Sequence, residues 1–178
     1  LADDVTPDDE EFDLFVKEVA REITVKAGQK CTAIRRAIVP RQHIDAVASA
    51  LRARLAKVVV GDPSVEGVRM GALASHDQLT DVGERVAQLL QGTEAVFSAK
   101  DGFAPQGAGT AEGAFFSPTL LLSRKPLDNN DVHNLEAFGP VSTLMAYDGI
   151  DEALALAARG QGSLVGSLVT KTPAIAAK

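Results

Sequence analysis

Tryptophan is absent and aromatic residues make up only 4% of the chain, so the core has to be assembled from aliphatic side chains. A sheet covered by helices suits that material. A single cysteine rules out an intrachain disulfide framework and fits a reducing compartment, which sets the expectation of a cytoplasmic protein. No apolar run approaches the roughly 20 residues that span a bilayer. The stretch 153–158 is short and bounded by Asp151, Glu152 and Arg159, and nothing at the start reads as a secretory signal. A basic excess is lacking as well. The net charge is −6 and the isoelectric point about 5.0. Arg35-Arg36 and Arg52/Arg54 are isolated pairs of the kind found on solvated faces or at anion contacts, not a stripe that tracks phosphates. Neither a nucleic acid nor a membrane is expected as a partner. One cysteine and three widely spaced histidines give no zinc-ligand pattern, so no metal is expected.

What is present describes one globular domain. The 178 residues are 46% hydrophobic and 24% charged, enough to bury a sizeable core. Thr6-Pro7-Asp8-Asp9-Glu10-Glu11 reads as a helix start, with Thr6 or Asp8 as cap and the acids complementing the positive end of the dipole. Phe12, Phe15, Val16, Val19, Ala20 and Ile23 follow at helical spacing and mark a buried face. Gly28 breaks that helix, and residues 33–39 read as a strand ending at Pro40. A second helix is predicted over 41–58, with Ile44, Val47, Leu51 and Leu55 inward, and a third over 76–91, using Leu79, Val82, Val86, Leu89 and Leu90. Gly61-Asp62-Pro63 is a turn. Strands are expected at 95–99, 114–122, 141–146 and 163–170, with a helix at 150–158. The alternation predicts an α/β fold: an open, largely parallel sheet flanked by helices. Gly107-Ala108-Gly109-Thr110 lacks the third glycine of a dinucleotide fingerprint and precedes a strand, so a surface loop is expected there.

Two segments carry chemistry. Gly28-Gln29-Lys30-Cys31-Thr32 places the lone thiol where a helical pattern stops and a β-rich run begins. Thiolate is the reactive form of cysteine and is favoured by nearby cations and backbone N–H groups; Lys30 adjoins it, and Gly28 allows a sharp turn and close approach to a substrate. A thiolate attacking a carbonyl creates an oxyanion that such donors stabilise. Buried small hydrophobe is the other role that a free cysteine fills. The second segment is Leu135-Glu136-Ala137-Phe138-Gly139-Pro140-Val141.

Ala27-Gly28-Gln29-Lys30-Cys31 with Arg35-Arg36-Ala37-Ile38-Val39 resembles the active-site segment of the aldehyde dehydrogenase superfamily. Glu136-Ala137-Phe138-Gly139-Pro140-Val141 is similar to that family's second signature. Between them, Val59-Val60-Gly61-Asp62-Pro63 and Met70-Gly71-Ala72-Leu73 resemble its Gly-Asp-Pro and Met-Gly-Pro-Leu turns, with Ala72 in place of proline. Leu135 replaces the acid common before the signature glutamate. The resemblance implies that Cys31 attacks an aldehyde to give a thiohemiacetal, that hydride passes to NADP or NAD, and that water hydrolyses the resulting thioester. It also implies that Glu136 binds the ribose on the nicotinamide side and that Phe138 packs beside it. A carboxylate accepts from both ribose hydroxyls, and an aromatic ring gives a flat apolar wall.

Within the family, Gly-Gln-Lys-Cys-Thr-Ala-Ile-Arg-Arg most resembles the dehydrogenase half of the bifunctional proteins of bacterial phenylacetate degradation. That likeness implies a CoA-linked semialdehyde as substrate; a small-molecule aldehyde is the broader expectation. The chain opens without Met, and the family's general-base glutamate, oxyanion asparagine and cofactor-binding domain would precede Leu1, with an oligomerisation strand beyond Lys178. The expectation is therefore a single catalytic domain, 1–178, cut from a longer homo-oligomeric parent and inactive alone. Two other readings use the same residues. A cysteine hydrolase or acyltransferase would pair Cys31 with His43, His76 or His133, and a non-catalytic assembly module would seal Cys31 in its core.

Overall fold

Leu144, flanked by Val141 and Tyr147 at the ends of its strand, belongs to the most continuous buried run in the chain, and the rest of the molecule is arranged around it. The computed structural model describes residues 1–107 and 112–177. The glycine cluster at 107–110 lies largely outside the described residues. Strands β1 (Arg36–Pro40), β2 (Glu94–Phe97), β3 (Thr119–Ser123) and β4 (Val141–Tyr147) form one sheet in the order β1-β4-β3-β2. β4 pairs in parallel with β1 on one side and β3 on the other, while β2 runs antiparallel to β3. The expectation of an open, largely parallel sheet is met, with an antiparallel edge strand added. Every residue of β3 and β4 is buried, as happens when both faces of a parallel sheet are covered.

Alternate side chains divide those two strands between two cores. Leu120, Leu122, Leu144 and Ala146 face helices α1 (Glu10–Thr24) and α2 (Ile44–Leu55). Leu121, Val141 and Met145 face the side covered by helix α3 (His76–Leu89), the short helix α4 (Asp131–Asn134) and the Met70–Leu73 turn. The predicted inward residues of α1 are all buried, as are Ile44, Val47, Leu51 and Leu55 of α2. Residues 41–43 form a 3-10 turn before α2, and Leu90, expected inward, is 39% exposed beyond the end of α3. The cap of α1 is Asp9, not Thr6 or Asp8; its carboxylate turns back to accept from the Thr6 N–H (2.7 Å) and hydroxyl (2.8 Å).

The expected strand at 163–170 is not one. Although the run is rich in β-favouring residues, no described strand pairs with it, and Leu164, Val165 and Leu168 are 69%, 57% and 50% exposed. Its end is tied to the N-terminal segment instead: Ala2 N–H donates to Val169 O, and Asp4 accepts from the Thr170 hydroxyl and the Lys171 N–H. Helix α5 (Gly149–Ala158) follows β4, and α6 (Pro173–Ala176) closes the described chain.

Candidate active site

Helix α1 ends at Thr24, and its continuation winds the other way. Lys26, Ala27 and Gly28 all adopt left-handed backbone angles, with φ of 53°, 51° and 71°. Each non-glycine residue so placed costs roughly 1–2 kcal/mol, so other contacts must hold the turn. Gln29 supplies two of them: its amide N–H donates to Gln78 Oε1 (3.2 Å), and its carbonyl oxygen accepts from the Ala74 N–H (2.9 Å). Lys30 Nζ lies 2.6 Å from Glu22 of α1, both side chains about one-fifth exposed. The ammonium next to the thiol is thus paired with a carboxylate. After this braced turn Cys31 is exposed, and the chain then enters β1. A side chain sealed in the core, as an assembly module would require, is not what the fold presents.

The second segment meets the first at backbone level. Gly139 N–H donates to Ala137 O and Val141 N–H to Gly139 O, both at 2.8 Å, so the chain folds through two tight turns just before β4. A Cβ on Gly28 would collide with the Gly139 carbonyl and lie 2.8 Å from Pro140 N. Only glycine permits this approach. Ala27 and Ala137 are buried in the same apolar cluster, with Met70, Leu73 and Val82. The Gly61-Asp62-Pro63 and Met70–Leu73 turns also adjoin, through Gly61 N–H to Met70 O (3.0 Å). All four segments singled out in the sequence therefore contribute to one apolar cluster on one side of the sheet, with the Gly28 and Gly139 segments meeting at the amino ends of β1 and β4. Open α/β sheets usually bind ligands at the carboxyl ends of their strands, so strand direction alone would have pointed away from these segments.

Within this wall Glu136 and Phe138 are exposed, Phe138 at 36%, and Ala137 between them is buried. Among the described residues the Glu136 carboxylate makes no hydrogen bond or ion pair within the chain. An unpaired surface carboxylate beside an open aromatic face fits the ribose and ring of a nicotinamide nucleotide on the donor–acceptor chemistry alone.

Among the described residues no histidine is hydrogen-bonded to the Cys31 thiol. His133 is 5% exposed, its Nε2 is 2.8 Å from Pro126 O and its Nδ1 3.2 Å from Arg36 Nη1. Burial, and then the charges of Arg36, Arg159 and Arg35, pull its pKa below the usual histidine value, against the opposing hydrogen bond to Pro126. His43 precedes α2 beside Gln42, and His76 opens α3. The Arg35-Arg36 pair is no solvated face either. Both are half-buried, Arg35 donating to His133 O (3.3 Å) and Arg36 to Leu156 O (2.9 Å). Sequence reasoning missed the bracing roles of Gln29 and Arg36, whose partners lie far away in the chain, and of Glu22, whose partner Lys30 is reached only across the left-handed turn.

The profile of the aldehyde dehydrogenase family matches residues 5–178. The 3,4-dehydroadipyl-CoA semialdehyde dehydrogenase of Aromatoleum evansii is 47% identical over 168 residues, 94% of this chain and 33% of that protein. Protein MaoC of Klebsiella aerogenes is 44% identical over 60% of this chain and 30% of its own length. Among solved structures, betaine aldehyde dehydrogenase from Staphylococcus aureus in complex with NAD+ superposes with a TM-score of 0.73 at 26% identity, covering 84% of this chain and 29% of that one. A variant of aldehyde dehydrogenase C from Pseudomonas syringae, complexed with NAD+ and octanal, gives 0.68 at 28% identity over 86% of this chain and 30% of that one. The chain spans about a third of the length of the curated relatives it matches, the A. evansii enzyme among them.

Proposed function

The chain belongs to the aldehyde dehydrogenase family, and from that premise we propose that it is the thiol-bearing catalytic domain of an NAD(P)-dependent aldehyde dehydrogenase, with Cys31 as nucleophile. The observation that carries this reading is the backbone contact of Gly28 with Gly139 and Pro140, which joins the turn bearing an exposed thiol to the segment bearing Glu136 and Phe138. Cys31 Sγ attacks the aldehyde carbon, a C–S bond forms, and the Cys31 backbone N–H donates to the oxygen that gains charge. When bound, the nicotinamide cofactor, NADP or NAD, supplies the hydride acceptor. Loss of hydride from the thiohemiacetal leaves a thioester on Cys31, and water cleaves it to release the acid and regenerate the thiol. Glu136 accepts from ribose hydroxyls, and Phe138 walls the same moiety.

The 47% identity to a CoA semialdehyde dehydrogenase supports a CoA-linked semialdehyde, of phenylacetate-type catabolism, as the aldehyde. The parent is proposed to be a cytoplasmic homo-oligomer whose cofactor-binding domain and deacylating carboxylate lie outside residues 1–178, so this domain alone does not turn over aldehyde. No helix among the described residues is long and apolar enough to cross a membrane.

The test is an acid quench of the full-length parent protein during aldehyde oxidation, followed by mass analysis of the peptide containing Cys31. An acyl adduct on that cysteine, lost with turnover in Cys31→Ser, is expected. Turnover that survives Cys31→Ser would end the assignment.

A further inference from the structure

His133 is the node between the two segments of the site. Arg35 and Arg36, four and five residues after the nucleophile, hold its backbone carbonyl and its ring nitrogen; Glu136 stands three residues beyond it. Pro126 O takes the other ring nitrogen at 2.8 Å. An arginine N–H only donates and a carbonyl only accepts, so the pair of contacts defines one state of the ring: a proton on Nε2 and a lone pair on Nδ1. Arg36 is itself fixed by Leu156 O at the end of α5, and Gly160 leaves room for its guanidinium, which a Cβ there would overlap. The ring is 5% exposed, so water does not readily replace either partner.

The charges around the ring are of one sign. Arg36 and Arg35 approach from β1 and its entry, and Arg159, following α5, donates to Leu127 O (2.9 Å). The acids of the neighbouring turns, Asp128 and Asp131, are exposed. α3 meets α4 through apolar Val86, Leu89 and Val132, and β4 contributes Val141 and Met145 to the same core. A proton on Nδ1 would set N–H against the Arg36 N–H and add a fourth cation to three.

We propose that His133 is a positioning residue for the Glu136 carboxylate, its neutral ring tying the nucleotide-binding segment to the strand that leaves Cys31, and its protonation loosening that tie. This rests on the reading of Glu136 as the ribose acceptor. Nucleotide affinity therefore falls as pH drops below the range where the ring is neutral, by up to about tenfold per pH unit if the protonated form does not bind. Alkylation of Cys31 in the absence of nucleotide does not share that dependence on His133.

The experiment has two arms on the intact protein. Imidazole nitrogen NMR reads the tautomer of His133, and calorimetry reads the NADP+ or NAD+ dissociation constant against pH in the unaltered protein, in His133→Gln, whose amide offers both an acceptor and a donor without titrating, and in Glu136→Gln. The expected result is an Nε2–H ring, an acid loss of affinity, and near-normal affinity in His133→Gln with that acid loss removed. An Nδ1–H ring, or an acid loss that persists undiminished in a folded His133→Gln protein, overturns the proposal while leaving Glu136 in place. Unaltered affinity in Glu136→Gln instead removes the reading beneath it, and the positioning role with it.

Discussion

At the scale of single residues, the site depends on side chains whose chemistry is ordinary and whose placement is not. Cys31 is the lone thiol, and it stood out as a candidate because no other residue of its type competes for the role. Lys30, which sequence adjacency cast as the cation that favours thiolate, instead pairs with Glu22 on α1. Glu22→Gln is expected to loosen the turn that bears Cys31 and to lower stability by about 1 kcal/mol, read from denaturant unfolding, since the ammonium is then left half-buried without its partner. Gly28 carries a stricter requirement. Gly28→Ala adds a left-handed alanine, about 1–2 kcal/mol from the backbone alone, and drives Cβ into Gly139 and Pro140. Separation of the two segments follows, so nucleotide affinity in that variant falls by more than its loss of stability accounts for.

At the scale of elements, period and composition found the helices well. Phe12, Phe15, Val16, Val19, Ala20 and Ile23 on α1 are all buried because a strongly two-faced helix has only one way to lie on a sheet. β3 and β4 are buried along their whole length although Thr119, Ser123, Ser142 and Thr143 interrupt their apolar residues. The stretch at 163–170 has the same local signal and forms no strand, since a strand exists only with a neighbour to bond and local composition says nothing of neighbours. The left-handed turn at 26–28 was equally invisible. Glycine marked one of its three positions, and Lys26 and Ala27 have no propensity for such angles. The contacts that hold it, Gln29 with Ala74 and Gln78, span more than 40 residues of chain. Leu144→Ala, in the fully buried centre of β4, is expected to cost about 2–5 kcal/mol. Because β4 also anchors the Glu136 segment, nucleotide binding should fail at a lower temperature in that variant than in the unaltered protein.

For the molecule as a whole, acid acts in two ranges. His133 binds protons less readily folded than unfolded, so its contribution is complete well above about pH 6.5 and declines as pH falls below it. Asp9, held down to about 2 chiefly by Lys171 and Thr6, and Asp4, Asp62 and Asp101, also lowered, contribute fully above about pH 3.9 and lose that contribution as pH falls toward their folded values. Thermal scans should show a shallow fall in midpoint below neutrality, absent in His133→Gln, and a steeper one in the carboxylate range. The whole-molecule arrangement matters most through one relation, the close approach of Gly28 to Gly139 that brings the turn bearing the thiol to the segment bearing the carboxylate. Its most direct test is the rate at which iodoacetamide alkylates Cys31 in the intact protein as NADP+ or NAD+ is added. Saturating nucleotide is predicted to change that rate, and Glu136→Gln to raise the concentration needed by about tenfold or more. A rate indifferent to nucleotide at every concentration, in a protein shown to bind it, would contradict the account.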